Sequence, residues 1–394
     1  MAHTRPAARL AGAPGGGRDP EWPRLVPDAA AGPKALTLWA HVGSAVPPEG
    51  AVEARAWTTV ENDYVELKRR VRAQGLFDKQ PAYYARQIAL VLVLCAVSVA
   101  CLAATRSPWV QALNAVLLAF TFGQITFLGH DAGHGQVLRT SRGNDLLGLF
   151  LIDLLLGASR AWWVDKHNLH HGNPNQLDLD PDIDFPVIAF AESQARTKSG
   201  ISRLIVRYQG YLFFPLLLLE AFNLRYHSTR YVLTRRDRYR SPELALIAIH
   251  LTAYLGAIIF FLGPGLGLLF ILVHQAAVGV YLGSSFATNH KGRPVLESPA
   301  PHDFLWQQVE TSRNLARHPV TDFVFGPLVC QIEHHLFPTI PRNRLRQVQR
   351  IVRPFCEQRG LDYHETTPVE AYKEVLGHLT RVGRTLARTS EGRV

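Results

Sequence analysis

The run from Ile88 to Ala104 carries no charged residue and a single serine, Ser98. A charge-free apolar block of that length is too long for an ordinary core strand and close to what a helix needs to cross a bilayer. Three more such blocks follow, near 109–129, 243–262 and 265–288. They pair off. Arg106-Ser107-Pro108 joins the first two blocks and Gly263-Pro264-Gly265 the last two. Each joint is too short for anything but a turn, and its proline disfavours continuing the preceding helix. The pattern predicts an all-α integral membrane fold with four transmembrane helices in two hairpins, at about 88–105, 109–129, 243–262 and 265–288. Two shorter apolar stretches interrupt it: Leu146 to Gly157, which contains Asp153, and Tyr211 to Leu224, which contains Pro215 and Glu220. Both are short for a clean span and read as helices lying in the membrane interface.

The rest of the chain is polar. Residues 1–35 are rich in Ala, Gly, Pro and Arg, without the apolar stretch of a secretory signal, and are expected to be a disordered tail. From Thr58 to Gln74, Val60, Tyr64, Leu67 and Val71 recur at helical spacing, with Gly75 as a stop. One membrane domain is expected over 55–385, followed by a C-terminal tail at 386–394.

The formal charge of +10 and pI near 9.6 invite a nucleic-acid reading. The distribution of the charge argues otherwise. The two joints hold one basic residue between them, Arg106, whereas Arg69, Arg70, Arg72, the Arg235–Arg240 cluster and the Arg342–Arg353 series fall on the other side. By the positive-inside rule both termini and the central loop lie in the cytoplasm, facing anionic lipid, with no nucleic-acid partner. The expected setting is a multi-pass protein of a bacterial cell membrane. Four cysteines without a CxxC make neither a disulfide framework nor a zinc ribbon.

Histidine is where the chain becomes specific. Three clusters stand out: His130-x-x-x-His134, His167-x-x-His170-His171 and Gln331-x-x-His334-His335, with His290 closing the last apolar block. On a helix, positions i, i+3 and i+4 share a face, so each cluster can aim its imidazoles at one point. His290 lies roughly 36 Å along a helix from Leu266, beyond a hydrocarbon core of about 30 Å. His130 begins where the second block ends. All eight histidines are therefore predicted at one membrane face, held by a cytosolic helical cap. Eight imidazoles are too many for one catalytic zinc or for haem, and suit two metals with about four each. Imidazole accepts Zn, Cu, Fe and Ni, so ligand type leaves the metal open. His250 and His274, inside the apolar blocks, are expected to be hydrogen-bonded within the bundle, and Trp162 and Trp163 to pack at the membrane interface.

Gly129-His-Asp-Ala-Gly-His134-Gly, Trp162-Trp-Val-Asp-Lys-His-Asn-Leu-His-His171-Gly-Asn-Pro-Asn and Gln331-Ile-Glu-His-His-Leu-Phe-Pro338 resemble the three histidine boxes of membrane fatty acid desaturases. The opening glutamine resembles the acyl-CoA and acyl-lipid branch that includes front-end and linoleoyl-type enzymes, as does Phe286-Ala-Thr-Asn-His-Lys-Gly292. The resemblance runs from about residue 55 to 380. It implies an oxidoreductase that uses O2 and two iron ions to place a cis double bond in a fatty acyl chain. The matching ligands are His130, His134, His167, His170, His171, His290, His334 and His335. No catalytic residue is expected beyond the metal site. Gln331 stands where some relatives have a ninth histidine and is a candidate weak ligand; Asn289 is a candidate holder of a metal-bound water. Asp131, Asp165 and Glu333 are candidates to hydrogen-bond the outer ring nitrogens. The Asp178, Asp180, Asp182, Asp184 run lacks the glycine and terminal glutamate of an EF-hand and reads as a capping and loop feature. The fused cytochrome b5 of many front-end desaturases is expected to be absent, so electrons come from a separate donor such as a ferredoxin with its reductase. Two alternatives stay open: a hydroxylase of the same superfamily, and a His-rich metal transporter, which would need ligands midway along the spans.

Overall fold

The computed structural model describes residues 53–235, 239–297 and 303–391. The expected N-terminal tail at 1–35 lies outside them. The chain divides into residues 1–53 and 54–394, and the apolar helices and the histidine clusters all lie in the second unit.

Helix α1 (Glu53–Ala73) precedes α2 (Pro81–Ala104) and α3 (Pro108–Gly133), and these last two each start on a proline at the first position, where the missing N–H costs nothing. Buried amides clamp this first hairpin: Gln111 Nε2 donates to the carbonyls of Thr105 (2.8 Å) and Cys101 (2.9 Å), and Asn114 Nδ2 to that of Ser98 (3.1 Å). Helix α4 (Ser141–Gly148) runs into a π-helical segment, Leu149–Leu156. Gly157, at φ 67°, then turns the chain by 111° into α5 (Arg160–Gly172). The chain leaves from His134, passes through the stretch 146–157 and returns to His167, the Nε2 atoms of the two histidines lying 2.9 Å apart.

Three short helices follow, α6 (Glu192–Thr197), α7 (Gly200–Arg207) and α8 (Gln209–Leu217), and then α9 (Glu220–Thr234). The single interfacial helix expected over Tyr211–Leu224 is thus two, broken at Leu218 and Leu219 just after Pro215. Helix α10 (Arg240–His290) is two limbs meeting at Gly263, whose φ of 73° and ψ of 175° are non-helical. The limbs fold back on each other: Tyr254 Oη lies 2.7 Å from His274 Nδ1, and a Cβ on Gly267 would meet the Ile258 side chain at 3.1 Å. Arg106 Nε donates to the Phe261 carbonyl at 3.0 Å, which brings the two joints to the same end. His250 and His274 are hydrogen-bonded within the bundle as expected, His250 through Nδ1 to the Leu154 carbonyl. Helices α2, α3 and α10 are long and apolar enough to cross a membrane. Their outer faces are apolar too, with Leu113 72% and Phe260 77% exposed, as suits contact with lipid.

Helices α11 (Phe304–Glu310), α12 (Pro319–Phe325), α13 (Gln331–Leu336), α14 (Leu345–Glu357) and α15 (Pro368–Glu391) cover the histidine end. Leu67 and Val71 of α1 bury against this group, sharing a core with Val348, Val352 and Phe355 of α14. Among the described residues the departures from an all-α chain are a two-residue parallel pair, Asn314–Leu315 with Glu365–Thr366, and an isolated parallel bridge between Gln176 and Leu296. Helix α15 continues to Glu391, through the first residues of the tail expected at 386–394.

Glycine sets the closest helix approach. A Cβ on Gly279 would sit 2.2 Å from the Leu217 carbonyl oxygen and 3.0 Å from the Ala221 nitrogen, both backbone atoms that no rotamer change can move. Small residues allow this contact in membrane bundles. Gly279→Ala is expected to cost about 1–3 kcal/mol of overpacking, read as a lower thermal midpoint of the detergent-solubilised protein.

Candidate metal centre

Eight histidines converge beneath the cap. Helix α3 supplies His130 and His134 from its C-terminal end, α5 supplies His167, His170 and His171, α10 ends on His290, and α13 supplies His334 and His335. They form two sets: His130, His134, His167, His171 and His334 in one, and His170, His290 and His335 in the other. The split is five and three, not the even four and four expected from the count, because α5 and α13 each divide their histidines between the sets.

The ring nitrogens say what the sets are for. In the larger set, Nε2 atoms lie 3.0 Å apart for His130 and His334, 3.0 Å for His167 and His171, and 3.1 Å for His171 and His334. In the smaller, His170 and His290 Nε2 are 3.3 Å apart. Four outer nitrogens face acceptors: His130 Nδ1 the Asp131 carboxylate (3.0 Å), His170 Nδ1 that of Asp180 (3.0 Å), His290 Nδ1 the Thr311 carbonyl (3.0 Å) and His335 Nδ1 the Gln308 Oε1 (2.8 Å). These partners put the proton on Nδ1 and leave the Nε2 lone pair pointing inward. Burial, followed by the neighbouring imidazoles, pushes His134, His167, His171, His334 and His335 well below the ordinary histidine pKa. These five rings are therefore neutral, whereas for His170 the effect of burial is outweighed by the Asp180 and Asp182 carboxylates, which hold it above the ordinary histidine value. Converging lone pairs in a buried space repel unless a cation lies between them. The donor set fits metal ions.

Not every expected neighbour belongs. Gln331 does: its amide Nε2 position lies 3.0 Å from His290 Nε2, while its Oε1 is buried without a partner. Asp131 faces His130 Nδ1 with one oxygen, and its second oxygen accepts from Arg342 Nε. Asn289 does not belong; it donates to the carbonyls of Leu328 (2.6 Å) and Arg313 (3.4 Å) and ties α10 to the cap. Asp165 is exposed and pairs with Tyr231 and Arg235, because it sits on the opposite side of α5. Glu333 accepts from Tyr363 Oη (2.6 Å) and Asn314 Nδ2 (2.8 Å) and touches no imidazole; burial pushes its carboxyl up to about 7. Asp180 does more than the capping and loop role its sequence context suggests. It does cap the chain, accepting from the backbone N–H groups of Asn175 (2.7 Å) and Asp182 (2.8 Å), and it also orients His170. Trp163 stacks on His167 at 4.5 Å, so it walls the centre rather than standing in the membrane interface.

A sequence model of the fatty acid desaturase family matches residues 107–367. The chain belongs to the fatty acid desaturase family. Its relatives include a Δ8-fatty-acid desaturase of Euglena gracilis, 30% identical over 88% of this chain and 84% of the relative. An acyl-lipid (9-3)-desaturase of Physcomitrium patens is 30% identical over 82% of this chain, and a Δ8-(E)-sphingolipid desaturase of Emericella nidulans 26% identical over 85%. The chain spans 63% and 64% of those two. This desaturase is thus an oxidoreductase of lipid metabolism, from a membrane-associated family that works with iron on fatty acyl substrates.

Carboxylates behind metal-bound imidazoles typically change metal affinity 10–100-fold when removed. Asp180→Asn in the desaturase is expected to weaken the three-histidine set by that order and leave the five-histidine set loaded. Metal content per chain after dialysis, measured by mass spectrometry, checks this.

Proposed function

We propose that this desaturase uses two iron ions, one in each histidine set, to introduce a double bond of cis geometry into an acyl chain. The observation that carries the reading is the convergence of eight imidazoles, Nε2 inward, into two adjacent sets. The overall conversion is –CH2–CH2– plus O2, two electrons and two protons to –CH=CH– plus two waters. Iron bound at these sets would supply the O2 chemistry needed to take hydrogen from unactivated methylenes. The protein's own part is to place those methylenes and exclude water. The rings of His170, His290, His334 and His335 are buried, and Trp163 stacks on the half-buried His167 at the edge of the larger set. Gln331 is taken as a further donor of the smaller set.

The proposed topology has four spans: α2, α3 and the two limbs of α10. The histidine sets and both chain ends of the 55–385 domain face the cytoplasm, as the distribution of arginine supports. The named relatives are all eukaryotic, which lends no support to a bacterial membrane. Electrons are proposed to arrive from a separate one-electron carrier. The relatives' names make an acyl-lipid substrate and a bond near C8 the first things to seek.

The test is gas chromatography with mass spectrometry of total fatty acids from a desaturase-poor host, with and without the gene. A control carries alanine at both His334 and His335. New double bonds that vanish in the control support the proposal. Hydroxylated chains instead would make the enzyme a hydroxylase, and an unchanged profile from iron-free protein would overturn the reading.

A further inference from the structure

Helix α15 crosses α7 and α8 more closely than ordinary side chains allow. A Cβ on Gly210 would lie 2.1 Å from Thr380 Oγ1, and one on Gly383 would lie 2.6 Å from the Val206 carbonyl oxygen and 2.9 Å from that of Arg207. This crossing brings together segments about 170 residues apart in sequence and leaves a cleft of about 160 Å³. That is roughly five times the ~30 Å³ of a liquid water. Its lining is Arg207, Tyr208, Gly210, Tyr211, Thr380 and Arg384. Two guanidinium groups and no carboxylate line it, and both arginines are exposed.

Beside the cleft runs an apolar stripe. Ile201 (75% exposed), Leu204 (56%), Tyr208 (46%) and Tyr211 (77%) recur at helical spacing along α7 and the start of α8. Large apolar and tyrosine side chains at that spacing, next to arginine, are the pattern of a helix lying in the headgroup layer, with its greasy face in the acyl region. Guanidinium groups suit phosphate because their planar donors meet its oxygens in pairs.

We propose that this cleft holds the phosphate of a membrane phospholipid headgroup, clamped between Arg207 and Arg384, while its acyl chains lie along the Ile201–Tyr211 stripe. The cleft is apart from the histidine sets, and the proposal does not depend on the reaction they carry out. Charge complementarity selects the phosphate, and the adjoining stripe selects a lipid over a free ion.

The full chain, purified in detergent and stripped of lipid, would be titrated with dioctanoyl phosphatidylglycerol and followed by native mass spectrometry. Parallel arms would use dioctanoylglycerol, which lacks the phosphate, and inorganic phosphate. Saturable binding of the phospholipid is expected, weakened about tenfold or more in the double variant Arg207→Gln, Arg384→Gln. The neutral lipid should bind weakly to both proteins. The double Arg→Lys variant, with the charge kept, should retain an intermediate affinity and serves as the check should the Gln variant fail to fold. Equal binding by wild type and both double variants would overturn the site. So would equal binding of the phosphate-free lipid, and inorganic phosphate binding as tightly as the phospholipid would make it a free-anion site.

Discussion

Alanine at His334 is expected to cut double-bond formation by at least about 100-fold while the helical content stays at the wild-type level. His334 Nε2 lies 3.0 Å from that of His130 and 3.1 Å from that of His171, so it joins the first and second boxes across the larger set. Its loss removes a direct donor, and such losses should exceed the 10–100-fold effects typical of groups one shell further out. The fold has little to lose. His334 Nδ1 is buried without a partner, and the inward lone pairs repel one another in the metal-free chain. Product analysis, metal content and circular dichroism on the same preparation check the three parts. Retained turnover with full metal content would remove His334 from the ligand set.

Asp131→Ala is expected to act on stability as well. The Asp131 carboxylate is wholly buried, accepts from Arg342 Nε, and faces His130 Nδ1 with its other oxygen. Arg342 is itself only 5% exposed at its side chain, and its backbone N–H donates to Tyr84 Oη at 3.3 Å. Removing one partner of a buried ion pair leaves an uncompensated charge and costs about 3–5 kcal/mol. The double change Asp131→Ala with Arg342→Met removes both charges and should recover a large part of that loss. It should not recover activity, since His130 still lacks its acceptor. Thermal unfolding in detergent, run beside product analysis, separates the two effects. A single variant as stable as wild type would show that the pair contributes nothing.

Much of this is legible in the residues. The apolar blocks and their proline joints locate both hairpins, and Gly263 breaks α10 where Gly-Pro-Gly stands. The histidine spacing singles out eight side chains that the fold brings to one place. The five-to-three split departs from the even division that a count suggests, although the helix itself contains it. Consecutive residues on a helix are about 100° apart, so His334 and His335 cannot serve one ion equally. On α5, His167 and His171 are about 40° apart, whereas His170 lies about 100° from His171. The same arithmetic turns Asp165 away from His167 by about 160°, which accounts for its place on the outer surface. Asp180 offers no such signal. It reaches His170 from a loop with positive φ at Asn175 and Asp178, and loop geometry has no period to read.

Helices α5 and α13 each contribute to both sets, and this has a consequence for how the centre can come into being. A tilt or twist of α5 that brings His167 and His171 into position carries His170 with it, and α13 yokes His334 to His335 in the same way. Placing the ligands that α5 and α13 give to one set therefore places those they give to the other, and what remains separate is the share of α3, which serves only the larger set, and of α10, which serves only the smaller.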